Sequence, residues 1–298
     1  MKKVKEIKQY NGKTLQPDIE PDEWFLRMVN ILDENGNQIS ETVYDENEAI
    51  ENQTLFKFNQ NNQLIEKKVV SSEDDSEEHF YFEYNEEGKL VKQILKYADG
   101  SLTLEKIVYQ QNEVITYISD EDNNFEGSRK RILNENNLIA EEIVVDDDNN
   151  VAEHFLYEYN DAGFMSKKTE LDENLDILSV RTMKYDEKGN LTEILDLTPD
   201  GDIINQRNSE YNDQNQPIKE VVDDYVINYY YNEAGKRVKD EIINPKGDIE
   251  SLTEYDFDED RLVQTISFNK GNIRFDESNI KSLKSLFIIS RLEYSFYD

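Results

Sequence analysis

The chain has no cysteine, a single tryptophan, five prolines and two histidines in 298 residues. Without cysteine there is no disulfide framework and no thiolate to act as nucleophile or metal ligand. No stretch approaches the roughly 18 consecutive apolar residues that a membrane-spanning helix needs. The opening segment, Met1-Lys2-Lys3-Val4-Lys5-Glu6-Ile7-Lys8, is positive but lacks the apolar run of a secretory leader. It predicts a cytoplasmic protein, or a secreted or surface one if a leader has been removed. Positive charge is also scarce. The 33 Lys and Arg residues face 66 Asp and Glu, a formal net charge of −33. Such a surface repels phosphate backbones and anionic headgroups, so neither nucleic acid nor membrane is an expected partner. A basic protein is the partner that this charge suits.

Catalytic constellations are missing too. There is no Gly-rich phosphate loop and no Gly-x-Ser-x-Gly elbow. The histidines occupy equivalent contexts, Glu78-His79-Phe80 and Glu153-His154-Phe155, about three repeats apart. That placement predicts two structural positions and no paired acid–base or metal site. Asp120-x-Asp122-x-Asn124 and Asp146-x-Asp148-x-Asn150 copy the opening of an EF-hand loop. Both lack its Gly at the sixth position (Phe125, Val151) and its Glu at the twelfth (Arg131, Tyr157), and read as acidic turns. The expectation is a protein with no enzymatic activity, no cofactor and no metal.

What the chain does contain is a repeat, and 18 Tyr and 13 Phe set at regular intervals. An aromatic is followed by Asn or Asp, two polar residues, Gly or Asn, one more residue and an aliphatic. The clearest copies begin at Tyr84, Tyr159 and Tyr185; weaker ones begin at Leu32, Phe58, Tyr109, Leu133, Tyr211, Tyr231 and Phe257. The usual step is 26 residues. Asn or Asp first and Gly fourth is the preference of a type I turn closed by a left-handed residue, the three-residue hairpin loop with a G1 bulge. That loop pairs Asn85 with Lys89 and therefore Tyr84 with Leu90. At Leu32, Tyr211 and Tyr231 the aliphatic comes one residue later (Ile39, Ile218, Val238), which predicts a different register there.

A second set of turns lies between the first, including Ala98-Asp99-Gly100, Pro199-Asp200-Gly201 and Pro245-Lys246-Gly247. The segments between turns are rich in β-favouring residues. The prediction is an all-β, antiparallel β-meander of about ten 26-residue two-strand repeats. About twenty strands accumulate too much twist to stay flat, so a curved or spiralling open sheet with its aromatic face inward is expected. The whole chain, 1–298, reads as one repeat domain: an N-terminal cap over 1–22, repeats over 23–270 and a C-terminal cap over 271–298. Asn11-Gly12 is a hairpin signal in the first cap. Ser278 or Asn279 could cap a short helix running to about Arg291, with Ile280, Leu283 and Phe287 on one face.

The motif Tyr-Asn/Asp-x-x-Gly-x-Leu, alternating with turns such as Pro199-Asp200-Gly201-Asp202, resembles the YD repeats of bacterial RHS and insecticidal-toxin shell proteins over roughly residues 23–270. It is also loosely similar to variant MORN repeats of small antitoxin-like proteins. The RHS resemblance implies a bacterial β-repeat scaffold associated with toxin systems. The self-cleavage motif Asp-Pro-x-Gly-Leu of RHS shells does not occur here, so the chain is not expected to be a complete toxin cage, and no catalytic residue carries over.

The functional expectation follows from where the acid lies. Second turns carry Glu73, Asp74 and Asp75, then Asp120 and Asp122, then Asp146, Asp147 and Asp148, then Asp223 and Asp224. An acidic edge of this kind predicts a protein-binding scaffold for a basic partner, such as an immunity or chaperone-like partner of a basic effector. The alternative is a carbohydrate-binding repeat protein that uses the tyrosine ladder Tyr84, Tyr109, Tyr159, Tyr185, Tyr211 and Tyr231 as a stacking platform.

Overall fold

The computed structural model describes residues 2–270 and 286–298. In chain order its strands are β1 (Val4–Thr14), β2 (Trp24–Leu32), β3 (Gln38–Tyr44), β4 (Ile50–Phe58), β5 (Leu64–Ser71) and β6 (Ser76–Tyr84). Then come β7 (Leu90–Lys96), β8 (Leu102–Tyr109), β9 (Glu113–Ser119), β10 (Phe125–Leu133), β11 (Ile139–Val145) and β12 (Val151–Tyr159). They are followed by β13 (Met165–Leu171), β14 (Ile177–Tyr185), β15 (Leu191–Leu197), β16 (Ile203–Tyr211) and β17 (Pro217–Val222). The last are β18 (Tyr225–Tyr231), β19 (Arg237–Ile243), β20 (Ile249–Asp258), β21 (Arg261–Asn269) and β22 (Phe287–Phe296). No α-helix occurs among the described residues.

The strands belong to one 22-stranded sheet, and the pairings between successive strands are antiparallel. The expected open meander is corrected at the chain ends. Strand β1 pairs with β2 on one side and with β22 on the other, so within the first unit the first and last strands are joined and neither is left as an open edge. The reason is the length and register of β1: ten of its residues find partners from Phe287 to Phe296. An open sheet would leave the backbone donors and acceptors of both terminal strands unpaired. The C-terminal helix expectation is corrected in part. Phe287–Arg291 lies in β22, while 278–285 falls outside the described residues.

Compact packing divides the chain into two units, one of Met1–Phe56, Val69–Ser76 and Glu210–Asp298, the other of Lys57–Lys68 and Glu77–Ser209. Among the described residues neither unit has a thick apolar core. Val29 and Ile289 are the buried apolar side chains among the described residues, and both belong to the first unit. In the second unit His154 and Thr169 are buried. With so few buried apolar side chains, order depends on the turns and on cross-strand contacts.

The first turns, which follow even-numbered strands up to β20, show how local sequence sets register. Asn85 N donates to Lys89 O at 2.9 Å and Gly88 N to Asn85 O at 2.9 Å, and Tyr84 pairs with Leu90. The fourth residues Gly36, Asn62, Gly88, Asn137, Gly163, Gly189, Asn215 and Gly235 all have positive φ. Where that residue is Glu113 or Arg261 the loop is shorter, and Tyr109 pairs with Val114 and Phe257 with Leu262. The different register expected at Leu32 and Tyr231 does not occur. Leu32 pairs with Gln38 and Tyr231 with Arg237, because the turn sets the pairing whatever side chain then stands opposite. Asn212 N donates to Gln216 O in the same way after Tyr211.

Two other departures have local causes. Asn11-Gly12 is not a hairpin turn but part of β1, and Gly12 pairs with Trp24. A Cβ on Gly12 would lie 2.5 Å from Pro21 Cβ, so this glycine serves a close approach. In the turn after β13, Leu175 occupies the left-handed position at φ 68°, where the neighbouring second turns place Asn149 and Gly201. A bulky L-residue there costs roughly 1–2 kcal/mol. Leu175→Asn is expected to stabilise the protein by about 1 kcal/mol, read as a raised urea midpoint at unchanged slope. An unchanged or lower midpoint would show that Leu175 gains elsewhere what the backbone loses.

Candidate partner-binding rim

Second turns follow odd-numbered strands from β3 to β19. Asp120 Oδ1 accepts from Asp122 N at 2.9 Å and Asn124 N at 2.8 Å, and Asp120 Oδ2 accepts from Asn124 Nδ2 at 2.7 Å. The Asn124 amide, with the backbone amides, holds the Asp120 carboxyl below its ordinary range. Asp146 Oδ1 likewise accepts from Asn150 N at 2.8 Å. These two aspartates are therefore turn caps, and the oxygens that an EF-hand-like loop would offer a cation are turned onto the loop's own amides. Among the described residues no group of three or more His, Asp or Glu is arranged to hold a metal ion. Asp74 is also engaged, accepting from Ser76 Oγ at 2.7 Å.

The remaining acids sought from sequence stand outward. Glu73, Asp75, Asp122, Asp147, Asp148, Asp223 and Asp224 are all exposed, as is Asp74. Asp223 sits at φ 52° in a two-residue turn that pairs Val222 with Tyr225, where the 26-residue step is shortened. Asp120, Asp122, Asp146, Asp147 and Asp148 share the second unit, on two successive hairpins. Glu73, Asp74, Asp75, Asp223 and Asp224 belong to the first.

Many lysines and arginines lie in strands and face carboxylates there. In the second unit Glu83–Lys92, Glu158–Lys167 and Lys184–Glu193 are directly opposed cross-strand pairs at 2.9, 2.9 and 2.7 Å. On the opposite face Arg181 Nε meets Asp196 Oδ1 at 2.6 Å and Arg131 Nε meets Glu142 Oε2. The two histidines differ in setting. His79 bonds Glu77 in its own strand, whereas His154 is buried and its Nε2 lies 2.7 Å from Glu141 Oε1 on the neighbouring strand.

The tyrosine ladder has a structural task. Tyr84 Oη donates to Leu64 O, Tyr159 Oη to Ile139 O and Tyr185 Oη to Met165 O, each at 2.8 Å. Tyr109 and Tyr231 do the same to Leu90 O and Pro217 O at 2.9 and 2.8 Å. Backbone pairing of β11 with β12 stops at Glu141 and Leu156, three residues short of Tyr159. Between β13 and β14 it stops at Lys167 and Thr182, three short of Tyr185. The hydroxyl thus fastens two strands where their ladder has ended. Burial pushes the Tyr159 and Tyr185 phenols up from their ordinary value.

Tyr255 shows the strongest effect. Burial, then its hydrogen bond to Asp240 Oδ2 at 2.7 Å, pushes its pKa up to about 12. The unfolded phenol ionises near pH 10, so this contribution to stability is intact below that value and is lost as pH rises through about 12. In an absorbance titration of phenolate, Tyr255→Phe is expected to remove one late-ionising group. An unchanged late phase would refute the assignment.

One feature of the rim escaped the sequence reading. Each of several even-numbered strands begins, just after its second turn, with an exposed apolar side chain. In the second unit these are Phe125, Val151, Ile177 and Ile203, at 38, 39, 45 and 59% exposure. Their 26-residue spacing was available in the sequence, but periodicity alone does not separate a core position from an uncovered one. Ile50, Tyr225 and Ile249 begin strands in the same way in the first unit and are also exposed.

Comparison with protein-family models and with curated proteins gives no match. Among solved structures, a porin-like protein from Bacteroides uniformis is similar at 10% identity and a TM-score of 0.36, over 98% of this chain and 96% of that one. A porin-like protein from Bacteroides vulgatus is similar at 10% identity and a TM-score of 0.29, over 72% of this chain and all of that one. The TcdB2-TccC3-TEV structure is similar at 10% identity and a TM-score of 0.31, over 85% of this chain and 21% of that one.

Proposed function

We propose that this chain is a non-enzymatic β-repeat scaffold that binds a basic protein, as an immunity or chaperone-like partner of a basic effector would. The observation that carries this reading is the sorting of charge. Many lysines and arginines on the strands are matched with neighbouring carboxylates, while the carboxylates of Glu73, Asp75, Asp122, Asp147, Asp148 and Asp224 stand exposed on turns. Exposed, unneutralised charge of one sign attracts a partner of the other and speeds its encounter. The YD-like repeat is consistent with a scaffold of this kind. Ladder hydroxyls are engaged by the protein's own carbonyls, which supports assigning the tyrosines to the scaffold ahead of a sugar-stacking platform. Ion pairs on both faces of the strands favour an aqueous setting, since a strand Lys or Arg facing mid-bilayer lipid costs about 2–4 kcal/mol.

Binding of a labelled polylysine of about 20 residues tests this reading through its salt dependence. Asp122→Asn combined with Asp147→Asn and Asp148→Asn leaves the capping aspartates in place. It is expected to weaken binding at low salt by about tenfold and to flatten the salt dependence. Equal affinity for wild type and triple variant would refute it.

A further inference from the structure

The uncovered apolar row of the second unit consists of one apolar pair at each successive second turn, separated where β12 and β13, and β14 and β15, have parted. Val145 pairs with Val151, Leu171 with Ile177 and Leu197 with Ile203, so each pair shares one face of the sheet. The outer member of each pair is exposed and the inner one half-buried. At the turn tip Leu175 adds an apolar side chain that is 63% exposed, in a left-handed position better suited to Asn or Gly. Placing leucine there keeps an apolar surface at the expense of backbone comfort. Acid borders the row along its whole length: Asp147 and Asp148, then Glu173 and Asp176, then Asp200 and Asp202, all exposed.

We infer that this row is the docking surface for an amphipathic, cationic helix of a partner protein, an inference that rests on the basic-partner reading above. The geometry fits a helix laid across the strands. From Phe125 on β10 to Ile203 on β16 there are six strand steps, at least about 29 Å at the spacing of about 4.8 Å between paired strands, since neighbouring hairpins have parted at this end. A helix of about 19 residues covers that length at 1.5 Å per residue. Exposed apolar residues recur on every second strand, at least about 9.6 Å apart, close to the rise of about 10.5 Å over seven helical residues. Leucines at that repeat would therefore meet Val151, Ile177 and Ile203 in turn. Lysines on the flanks of the helix would face the acidic turns, whereas an acidic or uniformly polar helix would be repelled or gain no apolar contact.

Two synthetic peptides of about 19 residues and equal charge separate this surface from simple charge attraction. One has leucine on a single helical stripe and lysine elsewhere; in the other, serine replaces every leucine. Fluorescence anisotropy at about 0.15 M salt should show the leucine peptide binding at least about tenfold more tightly. Ile177→Asp with Ile203→Asp, both at exposed positions, should abolish that advantage while leaving the serine peptide's weak binding at low salt unchanged or slightly strengthened, since the two new carboxylates add negative charge. Equal binding of both peptides to wild type would overturn the docking surface and leave the basic-partner reading standing. Binding of neither peptide at low salt would overturn both. Self-association of the wild type that Ile177→Asp and Ile203→Asp abolish, seen by sedimentation, would reassign the row to a second copy. Flotation with phosphatidylcholine vesicles that the same changes abolish would reassign it to lipid.

Discussion

Gly127→Ala is expected to destabilise the protein by about 3 kcal/mol or more. Gly127 sits at a bulge in β10 with φ 146°, between its neighbours' pairings to Ser119 and Tyr117. An L-residue held in that region of backbone space costs of order 1–3 kcal/mol. A Cβ would also lie 2.6 Å from Val145 O, on the adjoining strand's backbone. A flexible side chain could swing aside, but a carbonyl in a paired strand cannot move without disturbing the turn at Asp146. Relief therefore requires β10 and β11 to separate, with loss of the Ser128–Val145 pairing. Urea denaturation followed by circular dichroism measures the change. A loss below about 1 kcal/mol would mean that the bulge relaxes freely.

Replacing Tyr84, Tyr159 and Tyr185 together by phenylalanine is expected to lower stability by about 3 kcal/mol. Each substitution keeps the ring and removes one hydroxyl donor to a backbone carbonyl, worth about 1 kcal/mol net. The three sites lie on separate hairpins of the second unit with separate acceptors, so their effects should add. The consequence should also be local. Amides near Ile139 and Met165 should exchange faster in the variant, because the hydroxyls hold strands together beyond the last backbone pair. Uniform exchange through the strands, or no change in stability, would return the ladder to the role of plain apolar filling. Phe164, stacked on Tyr185 with centroids 5.0 Å apart, should keep that ring in place without its hydroxyl.

Turn chemistry was legible in the sequence because it is local. An Asn or Asp that caps its own loop, followed by a residue able to take positive φ, fixes which residues face each other before any tertiary contact forms. Tyr84 opposite Leu90 follows from that rule alone, and the same rule holds at Leu32 and Tyr231, where the aliphatic position suggested otherwise. The two-residue turn at Asp223-Asp224 was also readable as a deletion outside the strands. The acidic character of the second turns was readable in composition, but the division of labour within them was not. Asp120 and Asp146 point back onto loop amides, and Asp147 and Asp148 do not, a difference made by position in the turn.

Closure could not be read from the sequence, because the partner of β1 is β22, at the other end of the chain. No local signal distinguishes a strand with one neighbour from a strand with two. Asn11-Gly12 looked like a turn for the same reason: the glycine answers to Pro21 and not to its own two neighbours in sequence. The tyrosine hydroxyls find carbonyls 14 to 20 residues earlier in the chain because paired strands part at the end opposite their connecting turn. The sequence by itself therefore determined the β class, the turn positions and the hairpin register, all set by interactions within a few residues. Tertiary structure alone decided where the ladder closes, which acids remain outward and which apolar rows stay uncovered, since those depend on neighbours that only folding brings together.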